Sequence, residues 1–454
     1  TQDKVISYDH HMCHLVTPVA FYGLKEINKK TLLFSMDGVG DGYFAKIYTY
    51  DSSNDKLVMV SENTFEASIG LMFSEITKFL GMEPLEHEYK VMGLAAYVTK
   101  TEYFSHIYDE LRKIIYFDKE SLKFKSKFNM NIAGTHFKKK FIGERFDNIA
   151  AAAQRVTEDL VVEWIRSAIA KTQIHDIACS GGVFMNVKMN QIIYNMPEVD
   201  TVHFQPSSGD ESLGIGATWL LTNKLKESFF TVNSMFFGHK YSNDSITEFI
   251  DKNNLSSKYK VAWFDDVEVK IADLLANNHI VARVKGSSEW GARSLCNRAI
   301  LANASSLESF YEVNDMIKMR DFWMPFAPTI MQDFASKYIV DYDIIKNKLK
   351  DSLKYMIVTV DSTEFAKKHL RAAIHQKDYT LRPQIVSYDD NPDLYRLLKS
   401  YYEKTGMGGF MNTSFNLHGN PLASTLEQGL HTFENSGLKY MALENWIISK
   451  PEKI

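Results

Sequence analysis

The alternation of apolar and polar positions divides the first half of the chain into short strands and helices. Residues 31–36 (TLLFSM) form an apolar run and residues 43–50 alternate, so together they predict a β-hairpin around an Asp-Gly-rich turn. Helical spacing of apolar residues predicts helices at 68–80 and 148–171. Strand, glycine turn and helix then recur, with predicted strands at 176–179 and 202–204 and a helix at 213–221. This order is typical of α/β proteins.

The second half of the chain has shorter and more irregular patterns. Residues 224–265 are polar and weakly periodic, which predicts a boundary between domains at 1–235 and 236–454. Beyond it we expect strands at 280–284, 355–360 and 384–387, a loop at 321–331, a helix at 392–404, and a strand followed by a turn at 407–419. The mixture indicates an α+β domain after an α/β domain.

Composition narrows the class of protein. The 454 residues are 45% hydrophobic, which is enough for two domain cores, and the net charge of −4 gives no general attraction to nucleic acid or membranes. Three separated cysteines form no disulfide framework or zinc module, which favours a reducing compartment. With no signal peptide or membrane-length apolar run, we expect a cytoplasmic protein with no membrane partner, or one in the host cytoplasm if it is phage-encoded.

A histidine pair near the start of the chain is a candidate metal site. His10 and His14 are four residues apart, so a helix places both on one face, whereas His11 lies about 100° away and is the weaker ligand candidate. Two glycine-flanked acids downstream, Asp37 and Asp210, complete a possible His/His/Asp/Asp set. Such a set suits Fe(II), Mn(II) or Zn(II). The alternative is a helix with two ordinary histidines and a plain Asp-Gly hairpin turn.

Two further regions have the residue types of anion sites. The turn Ser180-Gly181-Gly182 precedes a predicted helix, whose N-terminal amides often bind phosphate. Guanidinium, ammonium and amide groups are concentrated in the second half, as a nucleotide or acyl phosphate requires; the alternative is a solvated basic loop. These candidates are Lys285, Ser288, Glu289, Arg293, Asn297, Arg298, Lys318, Arg320, His375, Arg382, Asn412, Ser414 and Asn416.

Lysines interleaved with aromatic residues form a candidate nucleic-acid patch at 123–128 and 136–141. Phosphate attraction and base stacking would both favour this pairing. The alternative is a β-hairpin edge whose lysines discourage aggregation. The lysines concerned are Lys125, Lys127, Lys138, Lys139 and Lys140.

The motifs, in their order along the chain, resemble a known enzyme family. They are HHxxH, MDGxGDG, KVMGLA at residues 90–95, SGGVFMN at 180–186, PSSGD at 206–210, ExGxRxLxNR at 289–298, PFAP at 325–328 and NTSFN at 412–416. This set is similar to the O-carbamoyltransferase family of nodulation protein NodU and the cephalosporin and tobramycin carbamoyltransferases. The resemblance covers nearly the whole chain.

This resemblance implies a fold and a site for each half of the chain. The first half would be an actin-like ATPase-fold domain, similar to the tRNA threonylcarbamoyl transferase, and the second a YrdC-like domain. The metal ligands would be His10, His14, Asp37 and Asp210, with Fe(II) favoured. The phosphate or adenylate turn of the first domain would include Lys90, Ser180, Gly181, Gly182 and Asn186. Because the chain starts at the histidine motif, the first actin-like lobe is expected to be incomplete.

The implied reaction has two steps. The second domain would use ATP, with Mg²⁺, and carbamoyl phosphate to make carbamoyl-adenylate, releasing pyrophosphate, and the phosphate-binding candidates above fall in its motifs. Ser287, Met324 and Asn420 stand where arginine, arginine and glutamate are expected, so the phosphate contacts would be redistributed. At the metal site, where His14, Asp37 and Asp210 would act, an acceptor hydroxyl would then attack the carbamoyl carbon. His11 and Asp41 are the candidates for its general base.

The acceptor is open among several classes. A small sugar or antibiotic-like metabolite fits the resemblance, and a 5-hydroxymethylpyrimidine in phage-type DNA would fit the lysine–aromatic patch. Alternatives are an enzyme of the tRNA-threonylcarbamoylation type and a catalytically inactive binding or regulatory relative. A shared internal chamber is expected because the adenylate hydrolyses in water, and a homodimer is an additional expectation.

Overall fold

The chain divides into two units, each with its own sheet. The computed structural model describes residues 5–27, 29–229 and 231–451. Unit 1 comprises residues 1–234 together with 344–352, and unit 2 comprises residues 235–343 and 353–454. The predicted boundary lies one residue further along, and the prediction did not include the segment 344–352 in the first unit.

Unit 1 is built on a five-stranded sheet in the order β3-β2-β1-β6-β7. The first three strands are antiparallel neighbours, whereas β6 is parallel to β1 and β7 is parallel to β6. The elements are α1 (His10–Tyr22), β1 (Lys30–Gly40), β2 (Tyr43–Asp51), β3 (Lys56–Thr64), α2 (Ile69–Phe79), α3 (Glu88–Ala95), α4 (Ser105–Ile114), β4 (Ile115–Asp118), β5 (Lys123–Ser126), α5 (Gly134–Phe141), α6 (Phe146–Thr172), β6 (Asp176–Ser180), α7 (Val187–Asn195), β7 (Thr201–Phe204) and α8 (Leu213–Leu225).

Helices cover both faces of this sheet because successive residues of β1 point to opposite sides. Leu33 is buried in a cluster with Leu15 of α1 and Trp219 of α8. The next residue, Phe34, lies edge to face with Trp164 of α6 at a centroid distance of 4.9 Å. The helix bearing the histidines is therefore held against one face of the sheet by an apolar core, next to strand β1, which contains Asp37.

Unit 2 contains a mixed eight-stranded sheet in the order β14-β11-β15-β10-β9-β16-β17-β8. Its central strand β10 is antiparallel to both of its neighbours, β15 and β9. The elements are α9 (Asn243–Lys252), α10 (Leu255–Lys258), β8 (Lys260–Trp263), α11 (Val267–Ala276), β9 (Val281–Val284), β10 (Arg298–Ala302), α12 (Leu307–Val313), β11 (Ala327–Met331), α13 (Ala335–Tyr338), α14 (Tyr342–Leu349, of which residues 344–349 belong to unit 1), β12 (Val360–Asp361), α15 (Glu364–His369), β13 (Thr380–Leu381), β14 (Gln384–Val386), α16 (Pro392–Thr405), β15 (Gly409–Ser414), α17 (Leu426–Glu434), β16 (Tyr440–Leu443) and β17 (Trp446–Ser449).

Most predicted elements are confirmed, with three differences in unit 2. The strand predicted at 355–360 is wrong except at its last residue: Ile357 and Val358 are buried but lie before the start of β12 at Val360, and Met356 has a φ of 56°. The predicted loop at 321–331 ends in the buried strand β11, in spite of Pro328. The weakly periodic stretch before 265 contains α9, α10 and β8. Burial without a regular period explains the first two differences.

Candidate metal centre and cation cluster

Four side chains of unit 1 converge on one point. One ligand atom from each of His10, His14, Asp37 and Asp210 lies within 4.8 Å of the other three. The Nε2 atom of His14 is 3.0 Å from Asp37 Oδ2 and 3.4 Å from Asp210 Oδ1, and that of His10 is 3.8 Å and 3.6 Å from the same two oxygens. Helix α1, the end of β1 and the turn before α8 supply these residues.

The helix that presents the histidines is capped at its first turn. Asp9 is the N-cap residue, and its Oδ1 accepts a hydrogen bond from Met12 N at 2.8 Å. The backbone N–H of His10 donates to Asp41 Oδ2, also at 2.8 Å. Two otherwise unpaired amides of the helix end are thus satisfied by carboxylates. The predicted spacing places His10 and His14 on one face, with ring centroids 4.7 Å apart.

Two glycines make room for this arrangement. A Cβ atom at Gly40 would lie 2.1 Å from the His10 ring, so a side chain there would displace that ligand. Gly181 has a φ of 99°, and a Cβ atom there would lie 2.2 Å from the Met36 carbonyl oxygen. The close approach lets the amide of the next residue, Gly182, donate to Asp37 Oδ2 at 3.1 Å.

The charges of the four residues suit a divalent cation. Burial alone would raise the pKa of Asp37, but the nearby imidazoles of His10 and His14 hold it well below its usual range. Burial would lower the pKa of His14, whereas Asp210 and Asp37 raise it. The Nε2 atoms of both histidines are buried and, within the described residues, make no well-aligned hydrogen bond. Two carboxylates facing two such nitrogens form a donor set that a metal ion fits.

The two candidate bases are both engaged with the helix end. His11 is fully buried, its Nδ1 lies 2.6 Å from Ser35 Oγ, and burial lowers its pKa to about 4. Asp41 is exposed, and its carboxylate accepts the His10 amide. The structure therefore places His11 as a neutral contact to the sheet and Asp41 as a helix cap.

The predicted phosphate turn of unit 1 serves its own surroundings. A short 3-10 helix, Gly182–Met185, separates the turn from α7, whose N-cap is Asn186. The Asn186 amide and Gln154 exchange hydrogen bonds of 2.8 and 3.0 Å. Ser180 and Lys90 are both buried. Since the Gly182 amide bonds to Asp37, this turn supports the carboxylate of the candidate metal centre.

In unit 2, the loop between β9 and β10 is cross-linked by buried charges. Glu289 Oε1 accepts hydrogen bonds from the amides of Leu295, Asn297 and Arg298 at 2.7, 2.8 and 3.1 Å. The Arg298 guanidinium donates to the carbonyls of Gly286, Asn297 and His239 at 3.1, 3.0 and 2.7 Å. Glu289 and Arg298 were predicted to contact a ligand. The hydrogen bonds of both side chains that are described above go to backbone groups instead.

Other predicted anion ligands gather as a cluster of like charge. Burial lowers the pKa of Arg382 well below its usual range, and the charges of Arg293 and Arg320 lower it further. Arg320 acts in the same way on Lys318, which is itself buried. Within the described residues, Arg382 makes no hydrogen bond or ion pair. A group of cations that repel one another is stabilised by a polyanionic ligand.

The remaining candidates of unit 2, and Lys318 of the cluster, make contacts within the unit. Lys318 Nζ donates to the carbonyls of Ser414 and Asn416 at 2.9 Å each, which fixes the turn after β15. Asn412 Nδ2 donates to the Ser294 carbonyl at 2.9 Å. Elsewhere in the unit, Lys285 lies 3.5 Å from Glu444, Ser288 is buried, and His375 pairs with Asp378 at 3.1 Å.

In the candidate nucleic-acid patch, three of the four phenylalanine rings are buried. These are Phe124, Phe137 and Phe141, whereas Phe128 is partly exposed. Lys125 lies in β5 and pairs with Asp118, while Lys138, Lys139 and Lys140 lie in α5 rather than on a hairpin edge, and Lys140 pairs with Glu110. Lys127, Lys138 and Lys139 remain exposed. Three of the four phenylalanines of the pattern are thus core residues, and nucleic-acid binding stays a prediction.

Sequence reasoning did not identify the residues that support each site. Lys46 of β2 is buried and bonds to Asp9 Oδ2 at 2.8 Å. Arg283 of β9 pairs with buried Glu268 at 3.1 Å and donates to the Cys296 carbonyl. A single cation within an otherwise apolar strand is the signal that both share.

In the described part of the chain, no helix is long and apolar enough to cross a membrane.

Comparison with known proteins agrees with this arrangement. Residues 1–219 match the family described as Carbamoyltransferase N-terminus, and residues 272–450 match Carbamoyltransferase C-terminus. An uncharacterized protein of Methanocaldococcus jannaschii is 30% identical over 98% of this chain and 73% of its own length. Nodulation protein NolO of Bradyrhizobium diazoefficiens is 26% identical over 97% of this chain and 79% of its own length.

Two other similarities are more limited. The 3'-hydroxymethylcephem-O-carbamoyltransferase of Amycolatopsis lactamdurans is 28% identical over 39% of this chain and 32% of its own length. A crystal structure of full-length HypF in its phosphate- and nucleotide-bound form aligns with a TM-score of 0.30 and 17% identity, over 43% of this chain and 23% of that one. That structural similarity is too low to show a shared fold. The two family matches and the relative from Methanocaldococcus jannaschii establish that the chain belongs to the carbamoyltransferase family of enzymes.

Proposed function

We propose that the chain is an ATP-dependent O-carbamoyltransferase that divides its reaction between two sites. The cation cluster of unit 2 would form carbamoyl-adenylate, and the His/His/Asp/Asp centre of unit 1 would pass the carbamoyl group to an acceptor hydroxyl. The observation that carries the proposal is the convergence of four metal-ligating atoms within 4.8 Å in a member of this family.

Formation of the adenylate requires two polyanions to be held together. Carbamoyl phosphate and water give carbamate and orthophosphate, and a carbamate oxygen then attacks the α-phosphorus of ATP, which releases pyrophosphate. Arg293, Arg320 and Arg382 would hold the phosphates, because their mutual repulsion is relieved by an anion. The loop fixed by Glu289 and Arg298 would supply rigid backbone donors beside them.

Transfer of the carbamoyl group requires stabilisation of negative charge on its carbonyl oxygen. His10, His14, Asp37 and Asp210 would hold a divalent metal, Fe(II), Mn(II) or Zn(II), which polarises that carbonyl when it is bound. The Gly182 amide keeps the Asp37 carboxylate oriented towards the histidines. The acceptor hydroxyl then forms the new C–O bond, AMP leaves with the electrons of the broken bond, and one proton is released.

Support for the finer fold assignment comes from the sheets. In unit 1, three antiparallel strands followed by two parallel strands, with helices on both faces, suit one lobe of an actin-like ATPase fold. The mixed sheet of unit 2, with a phosphate-binding loop between central strands, suits a YrdC-like domain. We infer both as parts of the same proposal.

We further propose that the acceptor is a small hydroxylated metabolite. Relatives named for nodulation and for a hydroxymethylcephem support this class. The burial of Phe124, Phe137 and Phe141 weakens the case for hydroxymethylated DNA. DNA and tRNA acceptors are therefore outcomes of the test.

The experiment separates the two half-reactions. Purified protein with ATP, Mg²⁺ and carbamoyl phosphate is assayed for pyrophosphate, and candidate acceptors are then analysed by mass spectrometry for one added carbamoyl group. We expect His14→Ala to abolish transfer and retain pyrophosphate release, and Arg382→Ala to lose both. Loss of pyrophosphate release in His14→Ala, or no release from the wild-type protein with metal supplied, would contradict the proposal.

A further inference from the structure

We propose that Lys46 is a positioning residue of the metal centre, which holds the first turn of α1 through Asp9 so that His10 and His14 meet Asp37. Lys46 lies outside the ligand set and is 6% exposed. The inference rests on the proposed function, since it assigns a role towards the metal that unit 1 would bind.

Three successive residues of the first helical turn are each held by the β1–β2 hairpin. Asp9 Oδ2 accepts from Lys46 Nζ at 2.8 Å. The backbone N–H of His10 donates to Asp41 Oδ2 at 2.8 Å, and His11 Nδ1 lies 2.6 Å from Ser35 Oγ. Residues 9 to 11 span about 200° around a helix, so contacts to all three fix its rotation about its own axis.

The strand register explains why these contacts act together. Ser35 and Lys46 are directly paired across β1 and β2, so their side chains stand next to each other on one face of the sheet. Asp37 follows Ser35 by two residues on the same strand. One pair of strands therefore supplies both a metal-binding carboxylate and the groups that orient the histidine helix towards it.

The Lys46 contact joins the helix end to the sheet through a buried charge. The Lys46 ammonium lies 4.3 Å from the centre of the Tyr43 ring, and within the described residues its carboxylate partner is Asp9. Asp9 uses its two oxygens separately, one for the Met12 amide and one for Lys46. The ion pair thus connects the N-cap to the sheet, and without it two of the three contacts that orient the helix would remain.

A rotation of α1 would affect both histidines at once. His10 and His14 occupy the same face, four residues apart, so a change in helix orientation moves both Nε2 atoms relative to Asp37 in the same direction. Groups that orient metal ligands without touching the metal typically change its affinity about 10- to 100-fold when mutated. We expect Lys46 to act in this range.

The test compares Lys46→Met with Lys46→Arg and Lys25→Met in the full chain. Lys25 forms an exposed ion pair with Asp55 at 2.6 Å in the same unit and serves as the matched control. Co²⁺ is titrated into each metal-free protein, and its visible absorption reports both affinity and ligand geometry. Thermal unfolding of the metal-free proteins measures the purely structural effect.

We expect Lys46→Met to bind Co²⁺ at least about 10-fold more weakly with an altered spectrum, while Lys46→Arg and Lys25→Met resemble the wild type. Asp9→Asn keeps the helix cap but loses the charged partner, and its effect should not add to that of Lys46→Met. A lower unfolding temperature with unchanged Co²⁺ affinity and spectrum would overturn this inference alone. Failure of the wild-type protein to bind Co²⁺ would overturn the proposed metal centre as well.

Discussion

The two candidate sites use charge in opposite ways. In unit 1, side chains of complementary type converge: two imidazole nitrogens face two carboxylates at 3.0 to 3.8 Å. In unit 2, the charges of Arg293 and Arg320 act on buried Arg382 and lower its pKa. The first arrangement offers ligand atoms for a small cation, while the second brings together like charges that an anion would stabilise.

The two sites share one structural feature among the residues that support them. A buried cation on an apolar strand supports each: Lys46 of β2 holds the helix cap of unit 1, and Arg283 of β9 holds the loop carbonyl at Cys296 in unit 2. In both units the groups that would contact ligand are thus separate from the groups that fix the backbone. The difference between these two roles predicts which substitutions should change chemistry and which should change stability.

The largest effect is expected at Asp37. Asp37→Asn removes one negative charge from a carboxylate that faces both histidines and accepts two amide hydrogen bonds, so transfer should fall on the order of 10³-fold. Asp210→Asn should cost less, because the Asp210 side chain is 69% exposed and can rearrange. Carbamoyl transfer at saturating metal measures both. Equal losses would mean that pre-orientation of Asp37 does not distinguish the two carboxylates.

The loop of unit 2 should show the next largest effect, on stability. Glu289→Ala leaves three buried amides without an acceptor, which costs about 3 kcal/mol of unfolding free energy for unit 2. Glu289→Gln retains one acceptor oxygen and should lose about half as much. Urea unfolding followed by a probe in unit 2 measures the difference. If alanine and glutamine were equally mild, the carboxylate would not be the centre of the cross-link.

The stability of unit 1 should depend on pH through His203. Burial lowers the pKa of His203 to about 4 from an ordinary 6.5. The unfolded chain therefore takes up this proton first, so stability is full above pH 6.5 and decreases as the pH falls towards 4, by roughly 2–3 kcal/mol. His203→Gln should reduce this decrease in acid unfolding of unit 1. An identical pH profile in the variant would show that other groups control it.

These groups also mark where sequence reasoning succeeded and where it stopped. The candidate metal ligands could be predicted to lie together because helix spacing and glycine-flanked acids are local patterns, and the structure brings His10, His14, Asp37 and Asp210 together. The hairpin and α6 followed from apolar periodicity in the same way. Lys46 was missed because its partner lies 37 residues away along the chain.

In unit 2 the sequence could predict residue types but not their partners. Arg298 and Arg382 both lie in sequence next to glycine- or proline-containing stretches, yet Arg298 donates to three backbone carbonyls and Arg382 is influenced by two other arginines. Only the three-dimensional fold determines which of the two guanidinium groups donates hydrogen bonds to backbone carbonyls. The same limit applied to Phe137, whose lysine neighbours suggested a stacking surface although its ring is buried in the core.

The smallest effect is expected on substitution of Arg382. Its sign, a gain or a loss of unfolding free energy, tests the comparison between the two sites most directly. Arg382→Met removes a buried charge repelled by Arg293 and Arg320, so unit 2 should gain about 1 kcal/mol of unfolding free energy while pyrophosphate release is lost. Arg298→Met should instead destabilise unit 2, since the guanidinium donates to loop carbonyls. Inorganic pyrophosphate should raise the unfolding temperature of the wild type more than that of Arg382→Met. Destabilisation by both substitutions would mean that Arg382, like Arg298, is a structural cross-link, and the contrast between the two sites would then be lost.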